Sequence, residues 1–330
     1  MINSFFQIIR TGLYGSVPGD FTPPAPSHWQ DLCQMAVIQR VTGIFARGVE
    51  LLPDDVDVPA DILARLLRHE SFNSACLGKI QAARRSLAQF LQTDSFIVCK
   101  GPVVADYYPL PQMRESGDLD IYLPEPQFSQ ALERVRQKGI PLICSPDGSA
   151  QYYWEDVLID QHKRYFDLHC RLSALPPVPS AYATLVMLSA HIMKHALSTG
   201  VGVRQLCDMV MAYKNLQYDK DTLLRHYRKA VILRWNRVLS SFLAIYLDYD
   251  NGLFSRHSEK DAFRLLMIVL EGGDFGLYAP GRSQALRAKA QRRKRNTFRQ
   301  MLQRLPLALR WAPREYTTYT LHLLHGNLLK

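Results

Sequence analysis

The chain has 330 residues, of which 47% are hydrophobic and 21% are charged. These fractions are typical of a globular protein and exclude a disordered or collagen-like chain, and the length allows one large domain or two smaller ones. The net charge is +10. Much of this excess lies between Arg282 and Arg314, where eleven basic residues occur without an acidic one, so the rest of the chain is close to neutral.

Six cysteines are scattered through the chain, and no two have the Cys-x-x-Cys spacing of a zinc ribbon or a thioredoxin-like motif. Scattered cysteines in a chain that can hold a core indicate a reducing compartment. The N-terminus does not have the pattern of a secretory signal, and the most apolar stretch, 183–193, is shorter than the roughly 20 residues that cross a bilayer. We therefore expect a cytoplasmic protein, with peripheral attachment to a membrane left open by the basic segment.

Helical spacing dominates the first third of the chain. Residues 1–27 have a short apolar start and are then rich in Gly and Pro. Apolar residues recur at helical spacing over about 29–48 and again over about 59–92. Pro59 followed by Ala60-Asp61-Ile62 has the composition of a helix start.

The pattern changes to short β-like runs near residue 95. Strands are predicted at 95–100, 118–123, 151–154, 157–162 and 165–172, with a helix over about 126–138 that ends at Gly139. Further helices are predicted at about 181–199, 203–216, 219–231, 233–248, 258–271 and 283–304. This order predicts an α+β fold in four parts: an N-terminal helical region (1–94), a core with a small mixed sheet (95–175), a helical domain (176–281) and a basic tail (282–330).

The strand predicted at 118–123 carries two carboxylates. Side chains alternate along a strand, so Asp118 and Asp120 point to one face while Leu119 and Ile121 point into a core. Carboxylates about 7 Å apart along one face repel each other unless a cation lies between them. Their oxygens suit Mg²⁺, which takes one or two protein carboxylates together with substrate phosphates. An acidic pair on an exposed strand is the competing interpretation.

Two neighbouring segments favour the metal site. The run 165–169 alternates again, which places Asp167 and His169 on one face, so an adjacent strand could add a third carboxylate. Three acids around two metals is an arrangement used for in-line phosphoryl transfer. Upstream, Lys100-Gly101 ends a predicted strand and Pro102 fits the first position of a helix, where free N–H groups could receive a phosphate.

Together these motifs resemble the uncharacterised nucleotidyltransferase family of the DNA polymerase β superfamily. The resemblance covers about residues 29–250. It rests on Lys100-Gly101, Tyr108-Pro109, Arg114, Gly117-Asp118-Leu119-Asp120-Ile121, Phe166-Asp167-Leu168-His169, His191, Lys194-His195 and the stretch 204–208. One departure is that Gly101-Pro102 stands where the superfamily usually has Gly-Ser, so a hydroxyl contact to the triphosphate is missing.

The resemblance implies a Mg²⁺-dependent enzyme that moves a nucleoside monophosphate from an NTP to a hydroxyl or phosphate acceptor and releases pyrophosphate. It implies that Asp118 and Asp120 bind the metal and the triphosphate, and that Asp167 completes a second metal site, with Mn²⁺ as an alternative ion. The acceptor is open between a small molecule, a protein and RNA. The nucleotide-binding residues that we expect are Lys100, Gly101, Arg114, Gly117, His191, Lys194, His195 and Arg204.

Several of these residues have a second interpretation. His191 and His195 lie four apart on one helix face, and without the Glu of a zinc metalloprotease they also fit simple packing between helices and sheet. Arg204 and Asp208 have the spacing of an ion pair within a helix. Arg114 is either a phosphate ligand or a residue of a surface turn.

The basic segment 282–314 fits a solvated helix face, a nucleic-acid contact or a contact with an anionic membrane. The alternative function is therefore a catalytically weak relative that binds a nucleotide, RNA or a membrane surface through this segment.

Overall fold

A computed structural model gives the fold, and it describes residues 1–92, 96–145, 148–170, 175–273 and 290–328, with side chains for residues 299–321 of the last range. Within these ranges, helices precede and follow the strands of one small sheet along the chain. The helices are α1 (Ile2–Tyr14), α2 (Trp29–Ile38), α3 (Thr42–Glu50), α4 (Ala60–Leu91), α5 (Pro102–Ala105), α6 (Gln127–Gln137), α7 (Ala181–Leu197), α8 (Val203–Asn215), α9 (Lys220–Lys229), α10 (Leu233–Tyr246), α11 (Glu259–Gly272), α12 (Ala290–Trp311) and α13 (Pro313–Leu328).

In the described residues the sheet has five strands, in the order β1-β2-β5-β4-β3. They are β1 (Ile97–Val98), β2 (Asp118–Tyr122), β3 (Ile143–Cys144), β4 (Ala150–Trp154) and β5 (Val157–His162). The central pair, β2 and β5, is parallel, and the other pairs are antiparallel. The sheet is therefore mixed, and the predicted α+β architecture is confirmed.

The buried apolar residues form two hydrophobic cores. The smaller one fills the space between the sheet, the second half of α4 and α6, and it includes Leu119, Ile121 and Ile159 of the central strands. The larger one joins α1–α3 to the helices that follow the sheet. The 32-residue helix α4 belongs to both, since Ile62 lies in the larger core and Leu87 in the smaller. The inner faces of β2 and β5 are thus fully packed, which leaves their other faces for the site.

Helix α1 is an element that the sequence analysis did not assign. Its residues Phe5, Ile8 and Ile9 are fully buried. Gly12 weakens the local helix signal, but it has a packing role, since a β-carbon there would lie 2.1 Å from the Ile44 carbonyl oxygen of α3. The glycine therefore permits the close approach of α1 and α3.

Most predicted elements match the structure, and one strand does not. The predicted strand 157–162 coincides with β5, and the helices predicted between residues 181 and 271 are α7 to α11. The described part of the helix predicted at 283–304 belongs to α12, which continues to Trp311. Residues 165–170 form no strand, and the rest of that prediction, 171–172, lies outside the described residues. The alternation of Phe166, Asp167 and Leu168 therefore does not reflect a strand. The backbone N–H groups that follow, those of His169 and Cys170, donate to the Glu315 carboxylate and not to a neighbouring strand.

Part of the segment predicted as a basic tail is packed into the larger core. Met301, Ala308 and Trp311 of α12 are buried, and the Trp311 ring lies 6.2 Å from that of Trp235 in α10. The basic residues take part in this packing: Arg310 Nη2 lies 3.1 Å from Asp261 Oδ2. Residues 282–289 of the basic segment lie outside the described residues.

A search of the described residues for a helix with the length and hydropathy of a membrane span finds none.

Candidate active site

The parallel strands β2 and β5 bring acidic side chains together. Asp120 pairs in register with Asp160, and Tyr122 pairs with His162. Because side chains at paired positions of a sheet share a face, Asp118, Asp120, Asp160 and His162 all belong to the face opposite the smaller core. Two adjacent strands thus contribute a cluster that neither would form alone.

Asp120 is the most buried carboxylate of this group, at 5% exposure, and it has two partners. Its Oδ1 lies 2.9 Å from Lys100 Nζ and 3.1 Å from His162 Nε2. Burial alone would raise the pKa of Asp120, but the charge of Lys100 and the hydrogen bond with His162 hold it well below the ordinary value. Asp120 is therefore ionised at neutral pH.

Asp160 and His162 extend the cluster along β5. Gln151 Nε2 donates to Asp160 Oδ2 at 3.2 Å, and Asp160 Oδ1 lies 3.6 Å from His162 Nε2. Burial raises the pKa of Asp160. For His162, burial opposes the charged ring, but the hydrogen bond with Asp120 and the charge of Asp160 raise its pKa. One ligand atom from each of Asp120, Asp160 and His162 lies within 4.8 Å of the others, so these three residues could hold a metal ion.

Asp118 lies at the start of β2, two residues from Asp120. Burial and, next, the negative charge of Asp120 raise its pKa to about 6, and the positive charges of Lys100, Arg204 and Arg114 only partly offset this. The pair therefore carries a repulsion that a bound cation would relieve.

Asp167 belongs to a second group, on the segment that follows β5. Both of its carboxylate oxygens accept hydrogen bonds from Lys194 Nζ, at 2.7 and 2.8 Å, and Oδ2 lies 3.7 Å from His191 Nδ1. Burial alone would raise the pKa of Asp167, but His191 and Lys194 hold it well below the ordinary value. The third predicted carboxylate is thus ionised and lies with residues of α7 rather than on a strand.

The two histidines of α7 lie half-buried beside this group. The rings of His191 and His195 lie 4.4 Å apart in an edge-on arrangement, and His195 Nδ1 lies 2.9 Å from Thr199 Oγ1. Burial, followed by the charge of Lys100, lowers the pKa of His191 to about 4. Burial also lowers the pKa of His195 well below its ordinary value, so both rings are neutral at pH 7.

A cavity of about 70 Å³ connects the two groups. Lys100 and His162 line it from the strand side, and Asp167, His191 and Lys194 line it from the side of α7. Lys100 and Asp167, which the sequence analysis placed in two separate motifs, therefore face one space, whereas Asp118, Asp120 and Asp160 are not among its lining residues.

The turn between β1 and α5 lies beside this space. Gly101 caps α5 with φ of +69°, a conformation that glycine adopts readily, and a β-carbon there would lie 3.2 Å from the Asp118 carbonyl oxygen. Pro102 is the first residue of α5, as predicted. Because residue 101 has no side chain, the turn can lie close to the start of β2.

Arg114 is buried, so the interpretation as a residue of a surface turn is wrong. It is 4% exposed and binds Asp208 of α8 through two hydrogen bonds of 2.8 Å, and Tyr108 Oη donates to the same carboxylate at 2.8 Å. Asp208 thus pairs with Arg114, and the interpretation of Arg204 and Asp208 as an ion pair within α8 stays a prediction. Because its guanidinium group binds the carboxylate with two bonds, Arg114 braces α8 against the loop before β2, and its contact with a phosphate stays a prediction.

Two other predicted nucleotide-binding residues border β2. Gly117 directly precedes the strand, and a β-carbon there would contact the Arg40 guanidinium at 3.5 Å. Arg204 is the second residue of α8, and its charge acts on Asp118.

Residues 25–246 match a family model described as an uncharacterised nucleotidyltransferase. The chain belongs to this family. The match includes all five strands and ends at the last residue of α10, and it identifies the protein as a transferase of phosphorus-containing groups that uses an NTP. No curated protein and no solved structure matches the chain.

Sequence reasoning missed Asp160 and His162, although it predicted their strand. The alternation within 157–162 places Leu158, Asp160 and His162 on one face of β5, which is a detectable Asp-x-His pattern. The pattern does not indicate which residues of β5 pair with which residues of β2. The proximity of Asp160 to Asp120 is therefore not predictable from it.

Proposed function

We propose that this nucleotidyltransferase moves a nucleoside monophosphate from a Mg²⁺-bound NTP to a hydroxyl or phosphate acceptor, with Asp118, Asp120 and Asp167 as its essential carboxylates. The observation that carries the proposal is the cavity lined by Lys100 and His162, the two partners of Asp120, and by Asp167. An in-line displacement needs the attacking and the leaving oxygen to be served from two sides of the α-phosphate, and a phosphate in this cavity would have Lys100 and His162 on one side and Asp167 on the other.

The residues on the outer face of β2 and β5 fit a divalent cation. Burial and the charge of Asp120 raise the pKa of Asp118, and a divalent cation would relieve the repulsion between the two carboxylates. Asp160 Oδ1 is buried and accepts no hydrogen bond from the described residues. Asp118, Asp120 and Asp160 would hold the ion through oxygen, and His162 adds a nitrogen ligand that Mn²⁺ accepts more readily than Mg²⁺ does. A bound cation would neutralise charge on the α-phosphate and the leaving pyrophosphate.

The triphosphate would lie along the turn between β1 and α5. Lys100 already contacts Asp120, so its ammonium group can contact a phosphate oxygen at the same place. Arg204 adds a positive charge on the side of Asp118. These cations would orient the α-phosphate and stabilise the charge that develops on it.

Asp167, Lys194 and His191 would serve the acceptor, and Asp167 would also complete the site of a second metal ion. The acceptor oxygen forms a bond to the α-phosphorus while the bond from that phosphorus to the bridging oxygen breaks, so pyrophosphate leaves and a hydroxyl acceptor gives up its proton. Asp167, ionised, would orient that hydroxyl, and the neutral ring of His191 is the group beside it that can take up the proton. Lys194 keeps Asp167 in place with its two hydrogen bonds.

Thermal unfolding with each of the four NTPs, with and without Mg²⁺, tests the proposal. A ligand at 100 times its dissociation constant stabilises a protein by about 2.7 kcal/mol, which is readily measured. We expect one or more NTPs to stabilise the wild type only when Mg²⁺ is present, and we expect no such effect in Asp118→Ala/Asp120→Ala. The stabilising NTP then enters an assay for pyrophosphate release with candidate acceptors.

Stabilisation that is equal in the wild type and the double variant would contradict the proposal, as would no shift with any NTP. The alternative of a binding protein that acts through its basic segment has less support, because Arg304 and Arg310 make internal contacts. Replacing Arg292 to Arg295 by Gln is the matched control: it should leave the Mg²⁺-dependent shift unchanged.

A further inference from the structure

The segment that carries Asp167 is fixed by a residue far away in sequence. Glu315 of α13 accepts hydrogen bonds from the backbone N–H groups of His169 and Cys170, the latter at 2.9 Å. Its Oε1 also lies 2.9 Å from His169 Nδ1. Three donors from the residues just after Asp167 thus converge on one carboxylate.

This carboxylate is built into the structure. Glu315 is 5% exposed. Burial alone would raise its pKa, but the hydrogen bonds from His169 and Cys170 lower it, so the group is ionised. Neighbouring contacts support the same junction, since the His169 ring lies 4.7 Å from that of Tyr319 and Cys170 Sγ lies 3.4 Å from Thr318 Oγ1.

Helix α12 holds the other side of the Asp167 group. Arg304 is 6% exposed and donates from Nη1 to the carbonyl oxygens of Ala196 at 3.0 Å and Ser198 at 3.2 Å. These carbonyls lie at the C-terminal end of α7, the helix that presents His191 and Lys194 to Asp167. The pair α12–α13 therefore contacts both the segment that carries Asp167 and the helix that binds it.

The pair α12–α13 begins well beyond residue 246, where the match to the family ends. Its contacts with the site are charged and directional, whereas a helix pair that only covers a core needs apolar contacts. We propose that Glu315 is a positioning residue that fixes Asp167 relative to Asp120, so that this enzyme completes its site with helices outside the family-matched region. The proposal rests on the function proposed above, in which Asp167 serves the acceptor and the second metal ion.

Glu315→Gln tests the role, because the amide keeps the shape of the side chain but presents an N–H group to one of the two backbone donors. Tyr316→Phe is the matched control: its hydroxyl donates to the Met301 carbonyl oxygen, so the change removes a bond between α13 and α12 that involves none of residues 167–170. Glu315→Asp keeps the charge and serves as the conservative variant.

Two readouts separate positioning from stability. Hydrogen exchange of the peptide 165–170 should become at least tenfold faster in Glu315→Gln and stay within twofold in Tyr316→Phe. Binding of Mn²⁺ in the presence of the stabilising NTP, followed by electron paramagnetic resonance, should weaken at least tenfold in Glu315→Gln and in Asp167→Asn, with partial recovery in Glu315→Asp and no change in Tyr316→Phe.

If Asp167→Asn weakens Mn²⁺ binding but Glu315→Gln does not, the positioning role is overturned and the proposed function stands. Equal losses in Glu315→Gln and Tyr316→Phe would also overturn it, since α12–α13 would then act through stability alone. If the wild type does not bind Mn²⁺ with any NTP, or if Asp167→Asn binds it normally, the proposed function fails and the role of Glu315 fails with it.

Discussion

The two acidic groups of the site are held by different means. Asp118, Asp120 and Asp160 lie on β2 and β5, so the hydrogen-bonded register of two strands sets their separation. Asp167 lies on a segment that forms no strand, and it is held by the ammonium group of Lys194 and, through the residues after it, by Glu315.

This difference predicts different responses to substitution. A strand keeps its backbone hydrogen bonds when a side chain changes, so a change in the first group should remove a ligand and leave the backbone in place. The second group owes its position to charged side chains, so a change in one of them should also move the backbone. The same loss of activity would then arise in two physically distinct ways.

The largest effect should come from Asp120→Asn. A metal ion contributes several kcal/mol of charge stabilisation to the transition state, so we expect kcat/KM to fall by about 10³-fold or more. Lys100 also loses the partner of its buried ammonium group, which should lower the free energy of unfolding by about 3 kcal/mol. Pyrophosphate release and urea unfolding measure the two effects.

Hydrogen exchange of the Asp120→Asn variant tests whether the strands alone hold the first group in place. In Asp120→Asn the amides of β2 and β5 should lose protection only by the factor that the fall in the free energy of unfolding gives, and by the same factor in both strands. The exposed residue Asp106, at the end of α5, offers a control, and Asp106→Asn should change neither activity nor stability. Exchange along β2 that becomes faster than this common factor would show that the first group is also held by its side chains, and would contradict the distinction between the two groups.

Much of the first group could be predicted from the sequence, for a physical reason. The alternation of Asp118, Leu119 and Asp120 is a property of one strand, and the structure confirms both the strand and the burial of its apolar face. The position of β5 was predicted as well. A local sequence pattern does not indicate that β5 pairs with β2. The position of Asp160 opposite Asp120 could therefore not be predicted.

For the second group, the local sequence pattern gave a wrong prediction. Residues 165–169 alternate as a strand would, yet the N–H groups of His169 and Cys170 are bound by a carboxylate about 146 residues further along the chain. With these donors already satisfied, the segment has no need of a strand partner. No local signal marks Glu315 as the acceptor, because its sequence neighbours are those of an ordinary helix start.

A smaller effect is expected from Asp118→Asn, measured on the metal-free protein in a chelator. The pKa of Asp118 is about 6 in the folded chain, against 3.8 for the ordinary group, so the folded state binds more protons between these values. The free energy of unfolding should therefore fall by about 2–3 kcal/mol as the pH rises from about 4 to about 6, and stay low above it.

Asp118→Asn removes this titration, so the variant should be more stable than the wild type at pH 7.5 and should have a flatter pH profile, while it loses Mg²⁺-dependent NTP binding. Unfolding in urea at pH 4, 5, 6 and 7.5 measures both proteins. Parallel profiles would mean that the first group carries no electrostatic strain for a cation to relieve.

The smallest effect concerns the turn that borders the first group. Pro102 can offer neither an N–H nor a hydroxyl to a phosphate, and Gly101 already holds the turn against β2. Pro102→Ser adds both donors, so we expect the KM for the NTP to fall about tenfold or more with little change in kcat, as a hydrogen bond to a charged group contributes about 1.5 kcal/mol or more. Pro102→Ala, which restores the N–H alone, separates the two donors in steady-state kinetics. If all three proteins share one KM, the triphosphate lies away from this turn and toward α7, and the second group rather than the first would bind the nucleotide.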